Sequence, residues 1–227
     1  MTAFCFLAKA LRHIPCSLTV NLTIADPMVQ KEFWENTAEP AISVAKRDEC
    51  ELYYVDAAHF VLGAFLSYLW SKVRVFVRTP SGRQRYNVLG AFNALTQTMV
   101  SVTNTTYINS SSVIELLGKL RLLHPDRPIK IIWDNAAYQR CYAVRGQAIL
   151  LDIELIFLPS YSPNLNLIER YWEFVKKKRL YNRFHGNFES FCKTIDECPE
   201  GNEKHAEELK TLMTLKFQTL ENVQCLW

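Results

Sequence analysis

A chain of 227 residues, 49% hydrophobic and 22% charged, has the composition of an ordinary globular protein, long enough to bury one sizeable core. No apolar run reaches the roughly 18 residues of a membrane span; the nearest, Phe60 to Trp70, is interrupted by Ser67 and followed by Lys72 and Arg74, and reads as paired short strands or a buried hairpin. A formal charge of +3 is too small to identify a nucleic-acid partner by its sum, and seven cysteines without a Cys-x-x-Cys pair fit a reducing compartment, the cytoplasm, better than a disulfide framework.

Residues 1–24 show no clean helical period, and their charges, Lys9 and Arg12, lie inside the apolar part, where an export signal would carry them before it. Residues 25–50 read as a helical lead-in from Pro27 to Ala45, with Val29, Phe33, Trp34 and Ile42 on its apolar side and an interruption or end near Pro40. Glu51 to Asp56 is a β-prone run that ends on an acid, and His59 follows three residues later. Two further strands are expected near Val73–Val77 and Tyr86–Phe92, the latter after a Ser81-Gly82 turn, and Met99 to Thr103 continues the meander. Asn109 to Ser112 supplies a helix cap, with Glu115 at capping-box spacing from Ser112 and Val113, Leu116, Leu117 and Leu120 at helical intervals. Ile129 to Trp133, bounded by Pro128, is a short buried strand that delivers Asp134 to its C-terminal edge.

A second apolar strand, Glu154 to Leu158, runs into a loop, Pro159 to Asn166, whose prolines and asparagines set up a helix from Leu167 to about Leu180 with Glu169 at its third position. Beyond it, Phe188, Phe191 and Ile195 share a helical face, an acidic patch covers Glu197 to Glu208, and a last helix runs through Leu209, Leu212 and Leu215. The spacing of Cys192, Cys198 and His205 matches no common zinc pattern. A meander of strands followed by alternating helices and strands suggests an α/β fold, a mixed sheet with helices on its faces.

Asp134-Asn135-Ala136, the run Leu158-Pro159-Ser160-Tyr161-Ser162-Pro163-Asn164-Leu165-Asn166, then Ile168-Glu169 and Trp172 with Lys176 resemble the catalytic core of a mariner-superfamily transposase from a bacterial insertion sequence, a DDE superfamily endonuclease. The similarity continues upstream through Tyr54-Val55-Asp56 and the stretch from Ser81 to Ala91, and covers roughly residues 25–219. It implies a ribonuclease-H-like fold over residues 51–182, an antiparallel meander plus parallel strands flanked by helices, with the helices of 183–227 packed on it. It implies three metal-binding catalytic acids, Asp56, Asp134 and Glu169, with 34 residues between the last two. Asp56 and Asp134 would lie side by side, with His59, Asn135 and Asn166 around the acids. The implied cofactors are two Mg²⁺ ions, for which Mn²⁺ can substitute. The implied reaction is hydrolysis at transposon ends, then attack of the freed 3′-hydroxyl on target DNA at TA sites. Relatives carry helix-turn-helix segments before this domain. Here the short residues 1–24 leave no room for them, so the expectation is a truncated chain or a separate or frameshift-linked DNA-binding polypeptide; a homodimer is compatible with either.

The chemistry suits the residue types. Phosphodiester cleavage needs an activated water, a stabilised leaving oxygen and neutralised phosphate charge, which paired divalent cations supply, and hard cations prefer carboxylates. Plainer readings exist for each residue. Asp56 resembles a turn or cap residue, and Glu169, three after Asn166, resembles the closing acid of a capping box. Lys176, Lys177, Lys178 and Arg179, with Arg170, form a basic tail on the Glu169 helix; Arg83 and Arg85, near Arg74 and Arg78, form a second cluster. Such runs are usually solvated faces, and beside an acidic metal site they would hold DNA phosphates. Two other functions fit the chain: an inactive DNA-associated remnant, and a nuclease of RNA-DNA hybrids or DNA junctions, against which Pro159 to Asn164 argues.

Overall fold

The computed structural model describes residues 26–63, 65, 72, 76, 84–200 and 205–217. The N-terminal 24 residues, all but residue 76 of the strand expected near Val73–Val77, the Ser81-Gly82 turn and the arginines at 74, 78 and 83 lie outside the described residues.

The chain enters through α1 (Pro27–Phe33), whose N-cap Asp26 accepts the Met28 amide and whose first position is Pro27. Pro40 does not end the lead-in. A π-helical turn, Trp34–Ala38, comes before it, the Glu39 amide reaches back to the Trp34 carbonyl, and Pro40 falls in the first turn of α2 (Glu39–Lys46), where a missing N–H costs little.

Five strands form one sheet in the order β3-β2-β1-β4-β5. They are β1 (Glu51–Val61), β2 (Arg85–Asn93), β3 (Met99–Asn104), β4 (Ile129–Trp133) and β5 (Ile153–Phe157). β2 is antiparallel to β1 and to β3, while β1, β4 and β5 run parallel. This mixed sheet has the ribonuclease-H-like arrangement. β1 does not stop at Asp56 but continues to Val61, because β2 pairs antiparallel with it from Tyr53↔Asn93 to Val61↔Arg85. A carboxylate is unfavourable in a strand, but a ladder of nine registered pairs outweighs one weak propensity.

Helices cover both faces. On one, α3 (Ser110–Leu123) and α4 (Tyr142–Leu150) bury Val113, Leu116, Leu117, Leu120 and Val144 against Tyr53, Val55, Leu89, Ile131 and Trp133. The cap of α3 is Asn109, which accepts the Ser112 amide at 3.1 Å, and Glu115 pairs instead with Lys119. On the other face, α5 (Leu167–Val175) carries Ile168, Tyr171, Trp172 and Val175 onto Tyr54, Phe60, Val88 and Phe92. A π-helical turn, Lys176–Leu180, extends α5, and α6 (Phe188–Glu200) and α7 (Ala206–Leu212) pack Phe191, Ile195, Cys198 and Leu209 against this second core. Among the described residues no helix is long and apolar enough to cross a membrane.

Candidate active site

The parallel pairing of β1 with β4 places two acids together. Val55 and Trp133 are the last registered pair, and the next residue on each strand is Asp56 or Asp134. Asp56 shares its face of the sheet with Tyr54, Ala58 and Phe60, the α5 side, because successive side chains alternate. α5 starts beneath that edge and presents Glu169 in its first turn. Asp56, Asp134 and Glu169 line one cleft of about 400 Å³, with Asn135, Asn166 and the Pro159–Pro163 loop completing its wall.

The capping explanation of Glu169 does not hold in the structure. The Asn166 amide bonds to the Pro163 carbonyl, so it is not there for a glutamate to close on. The Asn166 side chain makes no cap either; its Nδ2 donates to the Val55 carbonyl at 3.4 Å and ties the start of α5 to the strand position before Asp56. Its buried Oδ1 has no hydrogen-bond partner.

The electrostatics follow from crowding. Loss of water raises the Asp56 carboxyl above its ordinary value, and the Asp134 charge adds to this, while the Ala57 amide and Trp172 oppose it. Glu169 is exposed as a residue, yet its carboxyl is partly withdrawn from water and is pushed up to about 7, first by that desolvation and then by Asp56, with Lys176 opposing. Tyr138 is pushed up to about 12 by burial and then by both aspartates, which places it among the neighbours of the pair.

The other expected residues separate. His59 lies an odd number of positions from Asp56, so it faces the opposite side of the sheet, where its Nδ1 meets Asn87 Oδ1 at 2.7 Å. Asn135 sits on the cleft wall. Arg85 is exposed at the far end of β2. Much of the basic tail is engaged within the molecule. Arg170 donates to the Thr214 and Lys216 carbonyls at 2.7 and 2.9 Å and stacks over Phe217; Lys176 pairs with Glu173; Lys178 pairs with Glu208; Arg179 reaches the Glu197 carbonyl. Lys177, 3.8 Å from Glu208, keeps a side chain 70% exposed.

Two supports were not foreseen. Gln30 of α1, 1% exposed, donates to Ser162 Oγ at 2.9 Å and exchanges amide bonds with Asn164, so the lead-in helix grips the cleft loop. Trp172 Nε1 donates to Asp56 Oδ2 at 3.1 Å. Gly90 within β2 was the available signal for the second, because a glycine inside a strand often marks a close approach.

A family model described as DDE superfamily endonuclease matches residues 51–192, which hold both aspartates, Glu169 and the whole sheet. The chain belongs to this family. Comparison of this DDE endonuclease with solved structures gives the Mos1 strand transfer complex at 18% identity and a TM-score of 0.57, covering 92% of this chain and 68% of the other. The Mos1 mariner paired end complex with Mn gives 16% and 0.57 over the same shares, and the paired end complex with Mg gives 19% and 0.52 over 89% and 69%. At these identities the likeness establishes the fold. No curated protein matches the chain at the sequence level.

The donor set fits a hard divalent cation in its chemistry. All the groups are oxygens: three carboxylates and, on the same wall, the orphaned Asn166 Oδ1. Among the described residues, however, no three acidic, histidine or cysteine groups are gathered closely enough to hold an ion.

Proposed function

We propose that this chain is the catalytic domain of a DNA transposase that cleaves phosphodiesters at transposon ends and joins the freed 3′-hydroxyl to target DNA, with Asp56, Asp134 and Glu169 as its metal ligands. The observation that carries the reading is the convergence of these three acids, from β1, β4 and α5, on one open cleft within a DDE endonuclease. The Mos1 assemblies that share the fold include complexes with Mn and with Mg and a complex with a transposon end, which supports divalent cations and DNA as the ligands here. TA target sites and a separate helix-turn-helix partner are carried by the resemblance alone.

Bound at this site, Mg²⁺ or Mn²⁺ would lower the pKa of a water and neutralise charge on the phosphate. The chain's own residues do the positioning. Asp134 is held by an Asx-type turn in which its Oδ1 accepts the Ala136 amide at 2.7 Å, and Ala136 is braced by the buried Gln139. Asp56 is fixed by its place in a paired strand, and Glu169 by the tether between Asn166 and β1.

The test is incubation of the purified chain with supercoiled and linear duplex carrying the transposon ends, with Mg²⁺, Mn²⁺ or chelator. Metal-dependent nicking that Asp134→Asn abolishes is expected. Nicking that persists in chelator, or survives Asp134→Asn, contradicts the proposal. An inactive remnant would bind DNA and Mn²⁺ without cleaving under any of these conditions.

A further inference from the structure

We infer that Trp172 is a positioning residue for Asp56, holding one carboxylate oxygen through its indole N–H, and that Gly90 is the seat that makes this possible. The inference rests on the metal-binding reading above.

Three observations meet at one place. Trp172 Nε1 lies 3.1 Å from Asp56 Oδ2, and the residue is 3% exposed, so the hydrogen bond is shielded from competing water. An indole N–H can donate but cannot accept, so it stabilises the ionised carboxylate in one rotamer. Directly across the antiparallel ladder from Asp56 stands Gly90. A Cβ built on Gly90 would stand 2.7 and 2.8 Å from two atoms of the Trp172 ring and 2.8 Å from Met99 Cε, closer than real carbon atoms pack. The glycine therefore lets the six-membered ring of the indole close on the backbone of β2 while its N–H reaches Asp56 on β1. Phe60, on the same face of β1, meets the ring edge-on at 6.1 Å between centroids.

A buried tryptophan on an amphipathic helix is ordinarily core, and packing alone explains its burial. Packing does not require the N–H to end on the acid, nor a glycine opposite that acid. Partners that orient a metal ligand typically contribute about 10- to 100-fold in metal affinity or activity. The consequence here is a carboxylate with one oxygen fixed by the protein.

The experiment compares Mn²⁺ titrations of DNA-free protein, followed by thermal shift and by the electron paramagnetic resonance of free Mn²⁺, across four variants. Trp172→Phe keeps an aromatic ring and removes the N–H. Gly90→Ala keeps the indole and displaces it. Phe60→Leu weakens packing on the same ring without touching Asp56, and Asp56→Ala removes the ligand. We expect Mn²⁺ affinity to fall about tenfold in Trp172→Phe and Gly90→Ala and to stay within about twofold of the parent in Phe60→Leu, even if all three melt at lower temperatures. Cleavage by Trp172→Phe should lose kcat with little change in KM for DNA, and excess Mn²⁺ should restore it, whereas Asp56→Ala should stay inactive. If Asp56→Ala loses Mn²⁺ binding while Trp172→Phe binds like the parent, Trp172 is core and this inference alone is overturned. Equal binding by Asp56→Ala and the parent overturns the metal reading and this inference with it. A Trp172→Phe protein that does not fold leaves Gly90→Ala and Phe60→Leu to decide, because a matched loss of affinity in those two would mean packing rather than the hydrogen bond.

Discussion

Glu169 is the residue at which local structure and chemistry separate most clearly. It closes no capping box, because the Asn166 amide already donates to the Pro163 carbonyl, and its carboxyl is pushed from 4.5 to about 7, first by desolvation and then by Asp56. Between those two values the folded chain holds a proton that the unfolded chain releases. Stability from this source is therefore complete below about pH 4.5 and is lost as pH rises through about 7. Asp56, raised for the same reasons, has the same sign. Melting curves in chelator should show Tm falling from about pH 5 to about pH 8, with a shallower fall in Glu169→Gln, and saturating Mn²⁺ should reverse the loss in the parent only. Identical slopes for parent and Glu169→Gln would show that the glutamate feels no such crowding. Glutamine at 169 should leave the start of α5 intact, since no side-chain cap is broken, and its melting temperature at neutral pH should match or slightly exceed the parent's.

At the scale of elements, the cleft depends on how β1, β4, the 159–166 loop and α5 are held together, and the grip of Gln30 on that loop is the least expected of the supports. Gln30→Ala would remove the buried amide that Ser162 and Asn164 share and should cost about 1–3 kcal/mol. Hydrogen exchange at residues 160–166 should quicken while the β1–β4 ladder stays protected; unchanged exchange there would mean the loop is held without α1. Gln30 had no signature in the sequence, because one polar residue on an exposed-looking helix pattern does not declare a partner more than a hundred positions away. The two strands that carry the aspartates were legible, since Glu51 to Asp56 and Ile129 to Trp133 are β-branched or aromatic runs of strand length. The extension of β1 past Asp56 was not, because it is dictated by β2, a nonlocal partner. Pro40 marked an interruption but not its form: a π-helical turn just before it carries the helix through, and no residue type announces such a turn. The place of Glu169 in the first turn of α5 was readable from Asn166 onward, but setting aside the capping box required knowing that the Asn166 amide is already taken by Pro163.

For the molecule as a whole, the net charge of +3 and the internal pairing of Arg170, Lys176, Lys178 and Arg179 leave a modest surface for phosphates. Duplex binding by this chain should be weak, indifferent to sequence and steeply reduced by salt. Lys177→Ala should lower the slope of log affinity against log salt by about 0.9, whereas Arg170→Ala should leave that slope unchanged and lower stability instead. A tenfold preference for transposon ends over unrelated duplex would show that the described residues read bases, contrary to this expectation. The central claim, that three acids on separate elements form one metal-dependent cleavage site, is tested most directly by Mn²⁺-dependent strand cleavage in Asp56→Asn, Asp134→Asn and Glu169→Gln, each with its melting curve measured alongside. All three should lose about a thousandfold or more in rate while remaining folded, which corresponds to roughly 4 kcal/mol of lost transition-state stabilisation. Parent-like cleavage by any one of them, in a folded protein, would remove that acid from the site and contradict the account.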